Sequence, residues 1–273
     1  MTLSEIAPAK LNLALHVRGK LPDGRHAIET VFAFCTDGDE LMVDESDDLS
    51  LTIDGPFGAD LDPGPDNLVI RAARALAEAS GVDARGAMRL TKNLPVASGI
   101  GGGSADAAAA LRLLTRFWSI DPAHATRVAP NLGSDVPSCL RSRSSRGSGA
   151  GDILIPEKIG TYAQSGAQVL LINPRIGLST AAVFAKWDGI DRGPLIEWYE
   201  GRNDLEAPAQ AIVPQIGDVR DWLLKRSGTR FVRMSGSGAT CFAIFGDEKW
   251  LHQAKAQCLG EHPEWWCLAT HIR

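Results

Sequence analysis

The stretch Leu94-Pro95-Val96-Ala97-Ser98-Gly99-Ile100-Gly101-Gly102-Gly103-Ser104-Ala105-Asp106 decides how the chain is read. Four of the five positions from 99 to 103 are glycine, the residue that loses most conformational freedom on folding. A turn so rich in it needs positive φ angles or the close approach of another group. Residues 105–117 follow with a run of Ala and Leu, so a helix begins at once, with Ser104 as its expected cap. The unpaired N–H groups and positive dipole end of such a helix make the turn a natural phosphate cradle. A plain strand-to-helix turn is the alternative, but one or two glycines would serve it. The G-x-x-x-x-G-K-[ST] signature is absent, and Ser104 stands where a dinucleotide G-x-G-x-x-G requires glycine, so neither of these common phosphate folds fits.

Upstream of the turn, residues 7–17 alternate, with Leu11, Leu13, Leu15 and Val17 on one face and Lys10, Asn12 and His16 on the other. This predicts a strand with a polar side that can turn Lys10 and Asn12 into one cleft. Further strands are expected over 27–34, 40–44, 49–54 and 87–92, and a helix capped by Asp66 runs to Ser80 and stops at Gly81. Residues 141–151, RSRSSRGSGAG, read as a surface loop, with a domain seam just beyond it. The second half carries strands over 168–172, 230–234, 240–245 and 266–271, and helices over 179–187, 203–212, 219–225 and 248–258. Strands and helices mix rather than alternate, which predicts an α+β fold in both halves.

A second small-residue run, Ser235-Gly236-Ser237-Gly238, separates two apolar strands. It is either a hairpin loop or an anion nest. Asp135 follows Gly133-Ser134 and by itself is an ordinary helix-start aspartate. His26 alone would be a surface histidine and Phe184 a core aromatic. The balance of 28 basic against 33 acidic residues, formally −5, is too acidic for a chain built to neutralise nucleic-acid phosphates. Five scattered cysteines without a C-x-x-C pair point to reduced thiols. No apolar run reaches membrane-spanning length and no leader is seen, so a cytoplasmic protein without membrane or nucleic-acid partners is expected.

Taken in order and spacing, Pro8-Ala9-Lys10-Leu11-Asn12, Pro22-Asp23-Gly24-Arg25-His26, Asp66-Asn67-Leu68, the 94–106 stretch, Leu132-Gly133-Ser134-Asp135-Val136-Pro137, Arg202-Asn203-Asp204-Leu205-Glu206 and Ser235 to Thr240 resemble the GHMP kinase superfamily. The resemblance implies two α+β domains, 1–155 like ribosomal protein S5 domain 2 and 156–273 ferredoxin-like, with the active site between them. It implies ATP and Mg²⁺, and a small-molecule acceptor, a cytidine diphosphate-linked methylerythritol phosphorylated on its 2-hydroxyl in the non-mevalonate route to isoprenoid precursors. Asp135 matches the base and Lys10 its partner; Asn12, Arg25, His26 and Phe184 match substrate-holding positions. Pro95, Val96, Ala97, Ser98, Gly99, Ile100, Gly101, Gly102, Gly103, Ser104 and Ala105 would wrap the ATP phosphates, with Asn67, Leu68 and Lys92 near the adenine and Ser104 a candidate oxygen for the metal. Arg25 departs from the pattern, since relatives commonly carry tyrosine there, and the arginines of 141–151 replace a shorter acidic run. The competing readings are a kinase of the same superfamily with another small alcohol as acceptor and a catalytically silent nucleotide-binding regulator. Retention of both Lys10 and Asp135 speaks against the latter.

Overall fold

In the computed structural model, which describes residues 2–160 and 163–273, the amino-terminal alternation forms one long strand, β1 (Leu3–Lys20). Its two faces do not divide into core and solvent, because every residue from 7 to 17 is buried, Lys10 at 4%, Asn12 at 2% and His16 at 2% exposure included. A strand covered on both sides must give each polar side chain a partner instead of water. The two strands expected over 27–34 and 40–44 are one, β2 (His26–Asp44). Gly38, between the two expected spans, is a close approach: a Cβ there would sit 1.9 Å from the carbonyl oxygen of Ala7.

The chain forms two compact units, and β1 and β2 contribute residues to both. The first comprises the residues up to Ala9, Asp37–Val96 and Gly101–Ser142. In it, residues 40–44 of β2 pair antiparallel with β4 (Gly86–Thr91), which lies parallel to β3 (Leu49–Asp54). Helix α1 (Leu68–Ser80) crosses between these parallel strands. Its cap is Asn67 rather than Asp66: the Asn67 carbonyl oxygen accepts from the N–H of Val69, and its amide nitrogen donates to the carbonyl of Asp62. Helix α2 (Gly102–Phe117) buries Ala105, Ala107 to Leu111, Leu113 and Leu114. Two helices follow: α3 (Pro122–Leu132), with Pro130 in its interior, which the sequence reading omits, and α4 (Val136–Arg141), too short to show a period, which begins after Asp135 as the helix-start reading of that residue has it.

The second unit comprises Lys10–Thr36, Ala97–Ile100 and the chain from Arg143 onward. Residues 30–32 of β2 pair with β5 (Ser145–Ser148), and β5 pairs with β6 (Ile153–Pro156), all antiparallel. The expected loop over 141–151 is therefore corrected in its middle: backbone pairing needs no apolar side chains, and Gly147 admits Phe32, whose ring would meet a Cβ at 2.7 Å. After β7 (Gln168–Asn173) come α5 (Thr180–Ala185), α6 (Glu206–Gln210) and α7 (Gln215–Leu224), then β8 (Thr229–Met234), β9 (Cys241–Phe245), α8 (Glu248–Glu261) and β10 (Trp266–His271). The sheet order is β10-β7-β9-β8, every pair antiparallel, the ferredoxin-like arrangement. Ile216, Val219 and Leu223 of α7 and Leu251, Ala254 and Cys258 of α8 pack into one core with Leu170 and Ile172 of β7.

In the first unit, an ion triad fixes the start of α2. The ammonium of Lys92, just beyond β4, is paired with Asp39 of β2 and lies 2.6 Å from Asp106 of α2, with all three side chains at 5% exposure or less. Asp39 also accepts from the N–H groups of Asn93 and Leu94 at 2.6 and 2.8 Å, so it ties down the chain entering the glycine turn. Burial, reinforced by Asp39 and opposed by Lys92, pushes the Asp106 carboxyl up to about 7. For Lys92, burial acts downward, but Asp106 and then Asp39 outweigh it and raise the ammonium.

Replacing Lys92 with Met leaves two carboxylates buried without a cation, and a loss of about 3–5 kcal/mol in denaturant unfolding is expected. The raised Asp106 contributes stability that is fully present below its unfolded value of 3.8 and is lost as pH rises through about 7. Asp106→Asn is accordingly expected to flatten the decline of the melting temperature across that window; an unchanged slope would assign the decline to other groups.

Candidate active site

Within the second unit the first glycine run is held through its own backbone carbonyls. The N–H of Lys10 donates to the carbonyl of Ile100 at 2.9 Å, and the N–H of Thr240 to that of Ser98 at 3.1 Å. The Ser235 hydroxyl donates to the carbonyl of Gly99 at 3.0 Å and accepts from the N–H of Asn12 at 3.1 Å. Gly99 has φ +77°, and a Cβ there would lie 2.4 Å from the carbonyl oxygen of Ser235, so glycine is required on both counts. Ala97 accepts a left-handed conformation, φ +50°, in the same segment. The second glycine run joins the antiparallel β8 and β9, and it clasps the first run. Asn203 holds it from beneath by donating to the carbonyls of Met234 and Gly236, both at 2.8 Å.

Lys10 and Asn12 lie at this clasp. The Lys10 ammonium is 4.7 Å from the centre of the Phe32 ring. The Asn12 amide nitrogen donates to Thr30 at 2.8 Å, while its carbonyl oxygen is buried with no hydrogen-bond partner. His26 and Phe184 are also brought together, rings stacked at 4.5 Å and 24°. Partial burial, and then the charge of Lys20, hold the His26 imidazole below 6.5, so it is neutral at neutral pH. Arg25 is exposed and turned to acids: its guanidinium lies 2.8 Å from Asp23 and 3.7 Å from Asp152. Arg146 of the basic segment is bound by Glu157 and by the carbonyls of Leu195 and Ile196.

In the first unit α2 begins two residues earlier than Ser104, which lies in its first turn instead of capping it. The N-cap is Gly101, left-handed at φ +68° and without a side-chain capping bond. A glycine cap leaves the first-turn amides free of any capping side chain, and Gly102, Gly103 and Ser104 are not buried. Leu68 lies 3.6 Å from where a Cβ of Gly103 would be, which brings the Asn67-Leu68 start of α1 alongside the turn. Lys92 is below it: a Cβ on Gly102 would approach the Lys92 ammonium at 3.0 Å. Pro95 is buried and Val96 exposed. Asp135 is the N-cap residue of α4, half-buried, and its side chain makes no capping bond. Among the described residues no three His, Cys, Asp or Glu side chains gather as a metal site, and no helix is long and apolar enough to cross a membrane.

Asp39 is missed by sequence reasoning, because it stands in no motif. Asp106 and Asn203 lie in stretches that carry the resemblance, but their supporting roles, as an ion-pair partner of Lys92 and as a brace for the second glycine run, are not read from them.

The family description "GHMP kinases N terminal domain" matches residues 67–143 and "GHMP kinases C terminal" matches 191–260. A curated 4-diphosphocytidyl-2-C-methyl-D-erythritol kinase from Rhizorhabdus wittichii is 49% identical, over 99% of this chain and 94% of its own length. The chain belongs to the 4-diphosphocytidyl-2-C-methyl-D-erythritol kinase family. Another member, from Sphingopyxis alaskensis, is 44% identical over 100% of this chain and 99% of its own. The crystal structure of a 4-(cytidine 5'-diphospho)-2C-methyl-D-erythritol kinase superposes with a TM-score of 0.79 at 30% identity, covering 98% of this chain and 99% of that one. A homoserine kinase at 14% identity and a TM-score of 0.71 shares the fold. In this kinase family member the GHMP kinase fold expected from the resemblance is thus established.

Gly99→Ala places a methyl group into the Ser235 carbonyl and onto an unfavourable φ. The expected result is a loss of about 1–2 kcal/mol or more from the left-handed conformation alone, with ATP affinity in equilibrium titration falling by about tenfold, 1.4 kcal/mol of displaced loop. Wild-type affinity in the variant would remove the clasp from nucleotide binding.

Proposed function

We propose that the chain transfers the terminal phosphoryl group of ATP to the 2-hydroxyl of 4-diphosphocytidyl-2-C-methyl-D-erythritol, yielding the 2-phosphate and ADP in the non-mevalonate route to isoprenoid precursors. The observation that carries the kinase reading is the start of α2, where a glycine cap leaves first-turn amides without a side-chain partner. Such a terminus offers short, directional donors to a polyanion. The identity of the acceptor is supported by the near full-length likeness to the relatives named above. Cytoplasmic location and a functional division near residues 155 and 156 belong to the same reading; the two family matches fall on either side of that division.

Phosphoryl transfer has a loose transition state, so the protein's contribution is positioning and charge stabilisation. Asp135 is the proposed acceptor of the 2-hydroxyl proton and Lys10 the cation that offsets charge as the alcohol attacks. The unpartnered, buried carbonyl oxygen of Asn12 suits a hydroxyl donor of the substrate, because an acceptor left unsatisfied is costly until a ligand fills it. His26 and Phe184 hold the cytosine. Pro95 through Ala105 hold the triphosphate, with Asn67 and Leu68 toward the adenine. Lys92, its ammonium taken by Asp39 and Asp106, serves the nucleotide by fixing the turn at Gly102. The lack of a carboxylate cluster among the described residues suits a Mg²⁺ ion that arrives on the nucleotide, with the Ser104 hydroxyl as the protein oxygen assigned to it. When bound, that ion neutralises phosphate charge.

The test is incubation with ATP, Mg²⁺ and the cytidyl substrate, followed by phosphorus NMR for a new monoester. Asp135→Asn is expected to lower turnover by about 10²-fold, within the usual range for a lost base, and to leave ATP binding nearly intact. Unchanged turnover would remove Asp135 from that role.

A further inference from the structure

The chain carries seven tryptophans, and their indole N–H groups are not treated alike. Trp118 donates to the carbonyl of Arg85 at 3.0 Å, Trp198 to that of Ile159 at 3.1 Å, and Trp222 to the carboxylate of Glu261 at 2.8 Å. The N–H of Trp187 is buried and has no partner. An indole N–H is a donor only, and one withdrawn from water without an acceptor carries a desolvation cost that calls for an explanation.

Its surroundings supply one. Trp187 stands just beyond α5, with its backbone N–H bonded to the carbonyl of Phe184 at 3.1 Å, so the two side chains are set by the same turn of chain. Its ring meets His26 edge to face, centroids 5.6 Å apart and planes at 86°, while His26 is stacked on Phe184. Any flat ring lying parallel to Phe184 in place of, or beside, His26 therefore stands perpendicular to the indole. Trp187 also lines a cleft of about 470 Å³ with Lys186, Asp188, Arg192, Arg202 and Asn203.

We propose that Trp187 is a specificity-determining residue for the nucleobase: its indole N–H donates to the acceptor edge, carbonyl or ring nitrogen, of a pyrimidine seated against the His26 and Phe184 rings. This rests on the cytidyl reading of the acceptor given above. A hydrogen bond to the base, remote from the transferred phosphoryl group, is made equally in the ground and transition states. It therefore acts on KM and leaves kcat nearly unchanged.

The direct test labels the indole nitrogens of the full chain, assigns the Trp187 N–H resonance from its absence in Trp187→Phe, and titrates CDP into the wild-type protein. The Trp187 resonance is expected to move in step with saturation measured by calorimetry, and Trp187→Phe to raise KM for the cytidyl substrate by about fivefold or more with kcat within about twofold. Trp187→Tyr, which restores a donor, should recover part of that loss. A Trp187 resonance that stays in place while CDP binds overturns the inference and leaves the kinase reading standing, with the indole N–H satisfied by the face of His26 alone. No calorimetric binding of CDP, together with ATP turnover on another alcohol, overturns the cytidyl reading and the inference with it.

Discussion

A loop of glycines presents its amides to a phosphate only if something other than its own side chains holds it still. Here the holding groups come from other parts of the chain, backbone N–H groups and the Ser235 hydroxyl. The carbonyl of Gly99 receives the Ser235 hydroxyl, which in turn receives the N–H of Asn12, while Lys10 donates its own N–H to Ile100. Strand β1, the 97–100 segment and the β8-β9 connection are thereby drawn to within hydrogen-bond length of one another. The contact tolerates no Cβ at Gly99, and a Cβ at Gly236 would lie 2.7 Å from the Gly99 carbonyl. The backbone N–H groups of Lys10 and Asn12, the residues proposed to meet the substrate, take part in this clasp, which fixes the main chain that carries their side chains.

How much of this was legible in the sequence follows from which forces are local. The helix after the glycine run and the αL stop at Gly81 were readable, because they depend on propensity and capping within a few residues; the pairing order of the carboxyl-terminal sheet rests on distant strands and was implied only by the resemblance. Errors fall where a distant partner reverses the local meaning. The polar side of β1 is buried although it alternates like a solvent-facing strand. Two strands expected over 27–34 and 40–44 are one, and Gly38 between them is an uninterrupted strand position against Ala7. The serine and arginine segment before Ala150 reads as a loop and contains β5, since a ladder can be satisfied by backbone groups whatever the side chains are. Cap assignments at Asp66 and Ser104 missed by one and three residues, the ordinary uncertainty of helix ends.

The site residues show the same division. The glycine turn, Lys10, Asn12, His26 and Asp135 stand in the short runs that carry the resemblance, and Phe184 enters through the resemblance alone. Groups that act by supporting others leave less trace. Asp39 stands in no motif, and Asp106 closes the glycine stretch with no sign of its partners; 67 positions separate them, with Lys92 between, until the fold withdraws all three from water. Trp187 falls in the same class, since nothing in a single indole's neighbourhood along the chain says that its N–H will be buried without an acceptor.

That triad also bears on how an acidic chain holds a polyanion. Lys92 lies beneath Gly102, yet its charge is matched by two carboxylates, so the cluster is neutral when Asp106 is protonated and negative when it is not. Its ammonium therefore adds no net field in favour of phosphate at the turn. With a formal charge of −5 over the whole chain, long-range attraction is weak as well. What remains is short in range and fixed in direction: the uncapped amides of α2 and the positive end of its dipole. Donors of that kind act only over hydrogen-bond distances, and their strength depends on being held in place before the ligand arrives. In the first unit the pairing of Asp39, Lys92 and Asp106 supplies that rigidity at the start of α2, although it supplies no surplus of positive charge.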